Sequence, residues 1–103
     1  MAKLSKYLLV VTMDIDQEQE KQFNEWYDKE HIPALLKVPG VLSAYRYKTE
    51  GTPKYSAIYE LERPNVPESD EWKKAVEKTS MKKAGLTSKN FSRFIYERIY
   101  SKD

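Results

Sequence analysis

The order of elements legible in this 103-residue sequence predicts an α+β fold. Strand, helix, strand, strand, helix and strand form one four-stranded antiparallel sheet with two helices on one face. Three observations carry the prediction. Residues 7–13 are a continuous run rich in β-branched and aromatic side chains, too short and too continuous for an amphipathic helix. Residues 17–30 place Phe23, Trp26 and Tyr27, then Glu30 or His31, at the i, i+3, i+4 and i+7 or i+8 spacing of one helical stripe. Two strand-like runs, residues 41–50 and 55–61, flank Gly51-Thr52-Pro53, which reads as the turn of a hairpin.

The first run reads as a central strand buried on both faces. Asp16 follows as a candidate helix cap, with Glu18 and Glu20 at the positive end of the helix dipole. Pro33 lacks a backbone donor and would clash with the preceding turn. The helix is therefore expected to end or kink near His31, and Pro33-Ala34-Leu35-Leu36 to begin a second short turn that Pro39-Gly40 stops. Ser69 or Asp70 caps the second long helix, in which Trp72, Ala75, Val76 and Thr79 recur at helical intervals and Gly85 marks the end. Residues 91–100 form the last strand, with Phe91, Arg93, Ile95, Glu97 and Ile99 on one side and Phe94, Tyr96 and Tyr100 on the other.

This order is the split βαβ, ferredoxin-like βαββαβ plan, and it occupies residues 1–103 as one domain. The strands carry apolar residues on both faces, as in Leu8 and Leu9, Ile58 and Tyr59, Ile95 and Tyr96. A bare second sheet face of that kind would exceed the patches that soluble monomers expose, so a second copy or a ligand is expected to cover it. Composition points the same way. Hydrophobic residues are 40% of the chain and charged residues 33%, which leaves a thin core for a lone subunit and favours a homodimer through the open sheet face.

Several chemistries are excluded. With no Cys there is no disulfide, thiolate zinc site, iron–sulfur cluster or cysteine nucleophile, and with one His no multi-histidine metal site within a chain. The three Gly are scattered and build no phosphate loop. Asp14 and Asp16 suit capping better than metal binding. The net charge of +2 hides an asymmetry: residues 14–30 hold seven acids against two bases, and residues 73–93 seven bases against one acid. Solvated helix faces are the plain reading. Complementarity between the two segments and a basic patch for an anionic ligand are the sharper ones. No apolar run approaches the roughly 20 residues of a membrane span. Residues 1–6 lack a signal peptide's apolar stretch, so no membrane contact and a cytoplasmic location are expected.

The segment from Phe23 through Trp26-Tyr27-Asp28-Lys29-Glu30-His31-Ile32-Pro33 to Leu35-Leu36-Lys37-Val38-Pro39-Gly40-Val41 resembles the dimeric α/β-barrel superfamily, in particular its EthD-like members. Ala44-Tyr45-Arg46-Tyr47 and residues 54–61 are similar to such members too. The resemblance implies sheet-to-sheet dimers with a pocket in each subunit between sheet and helices. It implies a small-molecule-binding protein of the cofactor-free cyclase, isomerase, lyase or monooxygenase kind, acting on a small hydrophobic substrate, with His31 as acid or base. The alternative is a non-catalytic dimeric ligand-binding or interaction module. No cofactor and no metal are expected; the axial His of haem-degrading relatives belongs to a different helix.

On the residues themselves, His31 at a helix end would be favoured as imidazolium by the dipole, and burial against Trp26 or Tyr27 would push the other way. Tyr27 lies four residues before His31 and shares its face, so the two could hold an enol or phenol oxygen and move a proton. His31 and Tyr27 are the candidate catalytic residues, and Phe23, Trp26, Tyr45, Tyr59 and Trp72 the candidate substrate-binding ones. A structural His31, bonding a helix carbonyl or a strand, is the plain alternative, as is core packing for Phe23, Trp26 and Trp72. RNA binding is disfavoured: an RNA-recognition motif needs Gly and aromatics where this chain has Tyr55, Ser56 and Ile58.

Overall fold

Strand β1, Tyr7–Ile15, lies inside a sheet of order β2-β3-β1-β4, in a computed structural model that describes residues 5–102. Residues 1–4, which hold most of the segment read for a signal peptide, lie outside the described residues. The other strands are β2 (Val41–Lys48), β3 (Tyr55–Leu61) and β4 (Ser88–Glu97), and every pairing is antiparallel. Helix α1 spans Glu20–Trp26, α2 Ile32–Leu36 and α3 Asp70–Lys78. This is the ferredoxin-like α+β plan, with the helical layer on one face.

Alternation along β1 sends Leu9, Val11, Met13 and Ile15 into the core under the helices. Leu8, Val10 and Thr12 stay half-buried on the other face, so β1 is covered on one side rather than the two expected. β3 contributes Tyr55, Ala57, Tyr59 and Leu61 to the same core. On the open face the register lines up Tyr45 with Ile58, Val10 with Phe94 and Leu8 with Tyr96. Tyr47, Phe94 and Tyr96 there are 58%, 61% and 54% exposed. The open-face positions of the two central strands are Leu8, Val10, Thr12, Ser56, Ile58 and Glu60, with no aromatic among them for base stacking.

The helical layer departs from expectation at three places. Of the end or kink expected near His31, the first helix does not end but is interrupted, and the second short turn expected from Pro33 follows as α2. The helix widens into a π-helical turn, Tyr27–His31, closed by the Ile32 N–H on the Tyr27 carbonyl. Pro33 is the physical reason: in a regular α-helix its ring would press on the carbonyl of Lys29, four residues back, and it has no N–H to give that carbonyl. Asp16 stands at the N-cap of a short 3-10 turn without bonding its backbone; its carboxylate pairs with Lys89 at 2.8 Å. α3, capped by Ser69 Oγ accepting from the Trp72 N–H at 3.2 Å, stops at Lys78 rather than near Gly85. Gly85 (φ +74°) closes a separate turn, in which the Leu86 N–H reaches the Met81 carbonyl. β4 starts and stops three residues earlier than expected, leaving Ile99 and Tyr100 beyond it.

Gly40, also at positive φ (+93°), turns the chain into β2 against the buried Val66; a Cβ there would lie 2.6 Å from Val66 Cγ2.

Candidate functional site

The π-turn sets the site. By adding a residue to one turn, it carries Tyr27 and His31 to the inner side of the helical layer, where a cavity of about 440 Å³ opens above the sheet. Val11, Met13 and Tyr59 form its floor. Trp26, Tyr27 and His31 form one wall, and Trp72 and Val76 of α3 the opposite one. The lining is mostly apolar, as small-molecule sites are.

His31 is held on two sides. Its ring stacks on Trp26 at 4.6 Å, with 18° between planes, and meets Tyr27 edge-on at 5.2 Å. Its Nδ1 lies 2.9 Å from Thr79 Oγ1 at the end of α3. The Thr79 hydroxyl already donates to the Ala75 carbonyl at 2.8 Å, so its lone pair accepts the Nδ1–H. That chain assigns the tautomer and leaves the Nε2 lone pair without a partner among the described residues. Burial is the dominant influence on the imidazole, and it depresses the pKa from 6.5 to about 4 against the smaller opposing effect of Thr79. The helix-end dipole invoked for an imidazolium is absent, because the helix runs on through α2. His31 is neutral at neutral pH.

Both tyrosines of the cavity are neutral too. Burial raises the pKa of Tyr27 and of Tyr59, the latter with help from Tyr27. Among the described residues the buried Tyr59 hydroxyl has no partner in full hydrogen-bonding geometry. The Tyr27 hydroxyl is near enough for the two to influence each other's ionisation as weak hydrogen-bonding neighbours, though without the geometry of a full hydrogen bond. A buried hydroxyl without a partner is costly, and a ligand oxygen or nitrogen would satisfy it. Arg46 fixes the Tyr27 ring from behind: its guanidinium lies 4.6 Å from the ring centroid and donates to Asp28 and Asn24 at 2.8 Å each.

Of the residues singled out in the sequence, His31, Tyr27, Trp26, Tyr59 and Trp72 line this cavity. Phe23 and Tyr45 lie elsewhere. Phe23 is fully buried in the core against Tyr27 and Tyr55, because α1 turns it to the sheet one turn before the cavity begins. Tyr45 stands on the open face, paired with Ile58, because strand alternation gives Ala44 and Arg46 the helix side. Thr79 was not singled out as a site residue by sequence reasoning, and Tyr59 was, but not the isolation of its hydroxyl. Both depend on contacts between distant segments, and no local pattern signals them. Among the described residues no group of three or more acids and His could hold a metal ion.

A family model described as a domain of unknown function, DUF4286, matches residues 6–97. The chain belongs to this family. No curated protein matches the sequence. Among solved structures, this DUF4286 chain is similar to an EthD family protein from Bacillus halodurans C-125, with 21% identity over 90% of this chain and 99% of that one and a TM-score of 0.64. It is also similar to a protein from Nitrosomonas europaea described as a putative antibiotic biosynthesis monooxygenase (15% identity, 91% of this chain and 99% of that one covered, TM-score 0.59). An MhuD mutant with two manganese protoporphyrin IX bound per active site superposes with a TM-score of 0.73 at 12% identity, covering 94% of this chain and 98% of that one. At these identities the likeness establishes the fold, including the EthD-like plan read from the sequence.

Proposed function

We propose that this DUF4286 chain is a homodimeric small-molecule-binding protein that takes a small, mostly apolar ligand into the cavity between sheet and helices. The ligand donates a hydroxyl or enol O–H to His31 Nε2. One observation carries the reading: a half-buried, neutral imidazole that lines an apolar cavity has one nitrogen committed to Thr79 and the other without a partner among the described residues. The unpartnered Tyr59 hydroxyl supports it by offering a donor in the same space. In chemical terms His31 accepts a proton from an already acidic hydroxyl or activated carbon, and Tyr59 or Tyr27 stabilises the oxygen that gains charge. That is acid–base chemistry of the cyclase, isomerase, lyase or monooxygenase kind, with no cofactor invoked.

The low basicity of His31 also favours a second reading, a non-catalytic module in which the same nitrogen only orients the ligand. Homodimer formation is supported by the exposed apolar face around Phe94 and Tyr96.

Calorimetric titration with 2-naphthol tests the binding site. One molecule should bind per chain. His31→Phe, which keeps the stack on Trp26 and removes the acceptor, should weaken binding about three- to tenfold. Absence of saturable binding, or unchanged affinity in the variant, overturns the assignment.

A further inference from the structure

The positive charges of the basic segment, residues 73–93, are not used by the reading above, yet two of its cations reach the same cavity. Lys73 lies on α3 and Arg93 on β4, and both line the cavity while remaining exposed, which places them where it meets solvent. Neither makes an ion pair or a side-chain hydrogen bond among the described residues. Some other cations do have carboxylates, as Lys54 has Glu20, Lys89 has Asp16 and Arg46 has Asp28, but what sets Lys73 and Arg93 apart is that both line the cavity. The other charge lining the cavity is Glu77. It stands one helical turn from Lys73, a spacing that permits a pair, yet none forms. The complementarity expected between the acidic and basic segments is thus realised at Lys89 and Asp16, not at these two residues.

We infer that the ligand is an apolar acid: a hydrophobic body inside the cavity and a singly charged oxyanion head held by Lys73 and Arg93 at its mouth. The inference rests on the proposed small-molecule site and names its ligand class. A guanidinium matches a flat oxyanion in two parallel hydrogen bonds, and the ammonium adds a point charge from the other wall. The body then lies between Trp72 and Trp26, and an acceptor near its inner end satisfies the Tyr59 hydroxyl. The excess of bases in residues 73–93 raises the local concentration of anions at that mouth. Glu77 opposes the head, so its neutralisation should strengthen binding.

Two fluorescent probes of matched body separate the claims: 8-anilinonaphthalene-1-sulfonate, an aryl amine with an oxyanion, and N-phenyl-1-naphthylamine, the same amine without it. The wild-type protein should bind the sulfonate about tenfold more tightly than the neutral amine. Lys73→Gln with Arg93→Gln should remove that preference and leave the neutral amine within about twofold, and Glu77→Gln should tighten the sulfonate about two- to threefold. Val76→Phe, which fills the cavity, should weaken both probes, and circular dichroism checks that each variant is folded. Equal affinity for both probes in the wild type, or an equal effect of the double substitution on both, overturns the acid and leaves the cavity reading standing. Failure of both probes to bind, or indifference of both to Val76→Phe, overturns the two together.

Discussion

Acidification should cost this protein stability through one residue, and the size can be worked from the site. His31 has an unfolded pKa of about 6.5 and a folded one of about 4, lowered chiefly by burial between Trp26 and α3. The unfolded chain therefore binds the proton more readily. The contribution is fully present above pH 6.5, falls as pH drops from there, and is fully lost below about 4. At about 1.4 kcal/mol per tenfold change in proton concentration, that window corresponds to about 3 kcal/mol, a substantial part of a small domain's stability. Carboxylates blur a direct measurement, because hydrogen bonds hold Asp14 and Glu20 below their usual range and protonating them also destabilises at the acid end. His31→Gln removes the imidazole and keeps those acids. Urea unfolding of wild type and variant, followed by circular dichroism from pH 7.5 to pH 4, isolates the histidine as the difference between the two curves. The wild type should lose about 3 kcal/mol relative to the variant over that range. A difference that stays flat with pH, or moves the other way, would refute a half-buried neutral imidazole.

Other expectations follow from single contacts. Gly40→Ala should destabilise by about 2–3 kcal/mol in the same assay, since a Cβ at positive φ would press on buried Val66; a loss below about 0.5 kcal/mol contradicts the turn. Thr79→Val should cost about 1 kcal/mol and free the His31 ring to adopt either tautomer, read by side-chain nitrogen NMR; an unchanged tautomer removes Thr79 from its positioning role. Phe94→Glu puts a charge on the open sheet face and should convert a dimer to a monomer in light scattering, with the helix-side cavity intact; a wild-type protein that is already monomeric at micromolar concentration denies the dimer.

Much of the fold was legible because it rests on local periodicity. The alternation of Tyr55 through Leu61 reproduces β3 residue for residue, and the strand faces of Phe91, Arg93 and Ile95 against Phe94 and Tyr96 emerge as read. The π-turn was only half legible. Pro33 announces an interruption, but whether a helix ends or widens depends on what its inner face packs against, and here Leu35 and Tyr27 bury themselves on both sides of the break. For His31 the sequence set dipole against burial, and the continuing helix, which offers no dipole terminus, leaves burial to decide its charge. Of the site, the aromatic wall was visible in the spacing of Trp26, Tyr27 and His31. Tyr45 was misplaced because alternation alone does not reveal which face a strand turns to the helices. Thr79 and the Tyr59 hydroxyl acquire meaning only when α3 and β3 come together.

The central claim, a neutral His31 whose Nε2 faces a ligand, has one direct measurement. The chain holds a single imidazole, so nitrogen NMR of its two ring atoms is free of overlap. At neutral pH the free protein should show a protonated Nδ1 and an unprotonated Nε2, and 2-naphthol should shift Nε2 saturably while Nδ1 stays bonded to Thr79. A proton on Nε2, a charged ring at neutral pH, or no response to 2-naphthol would contradict it.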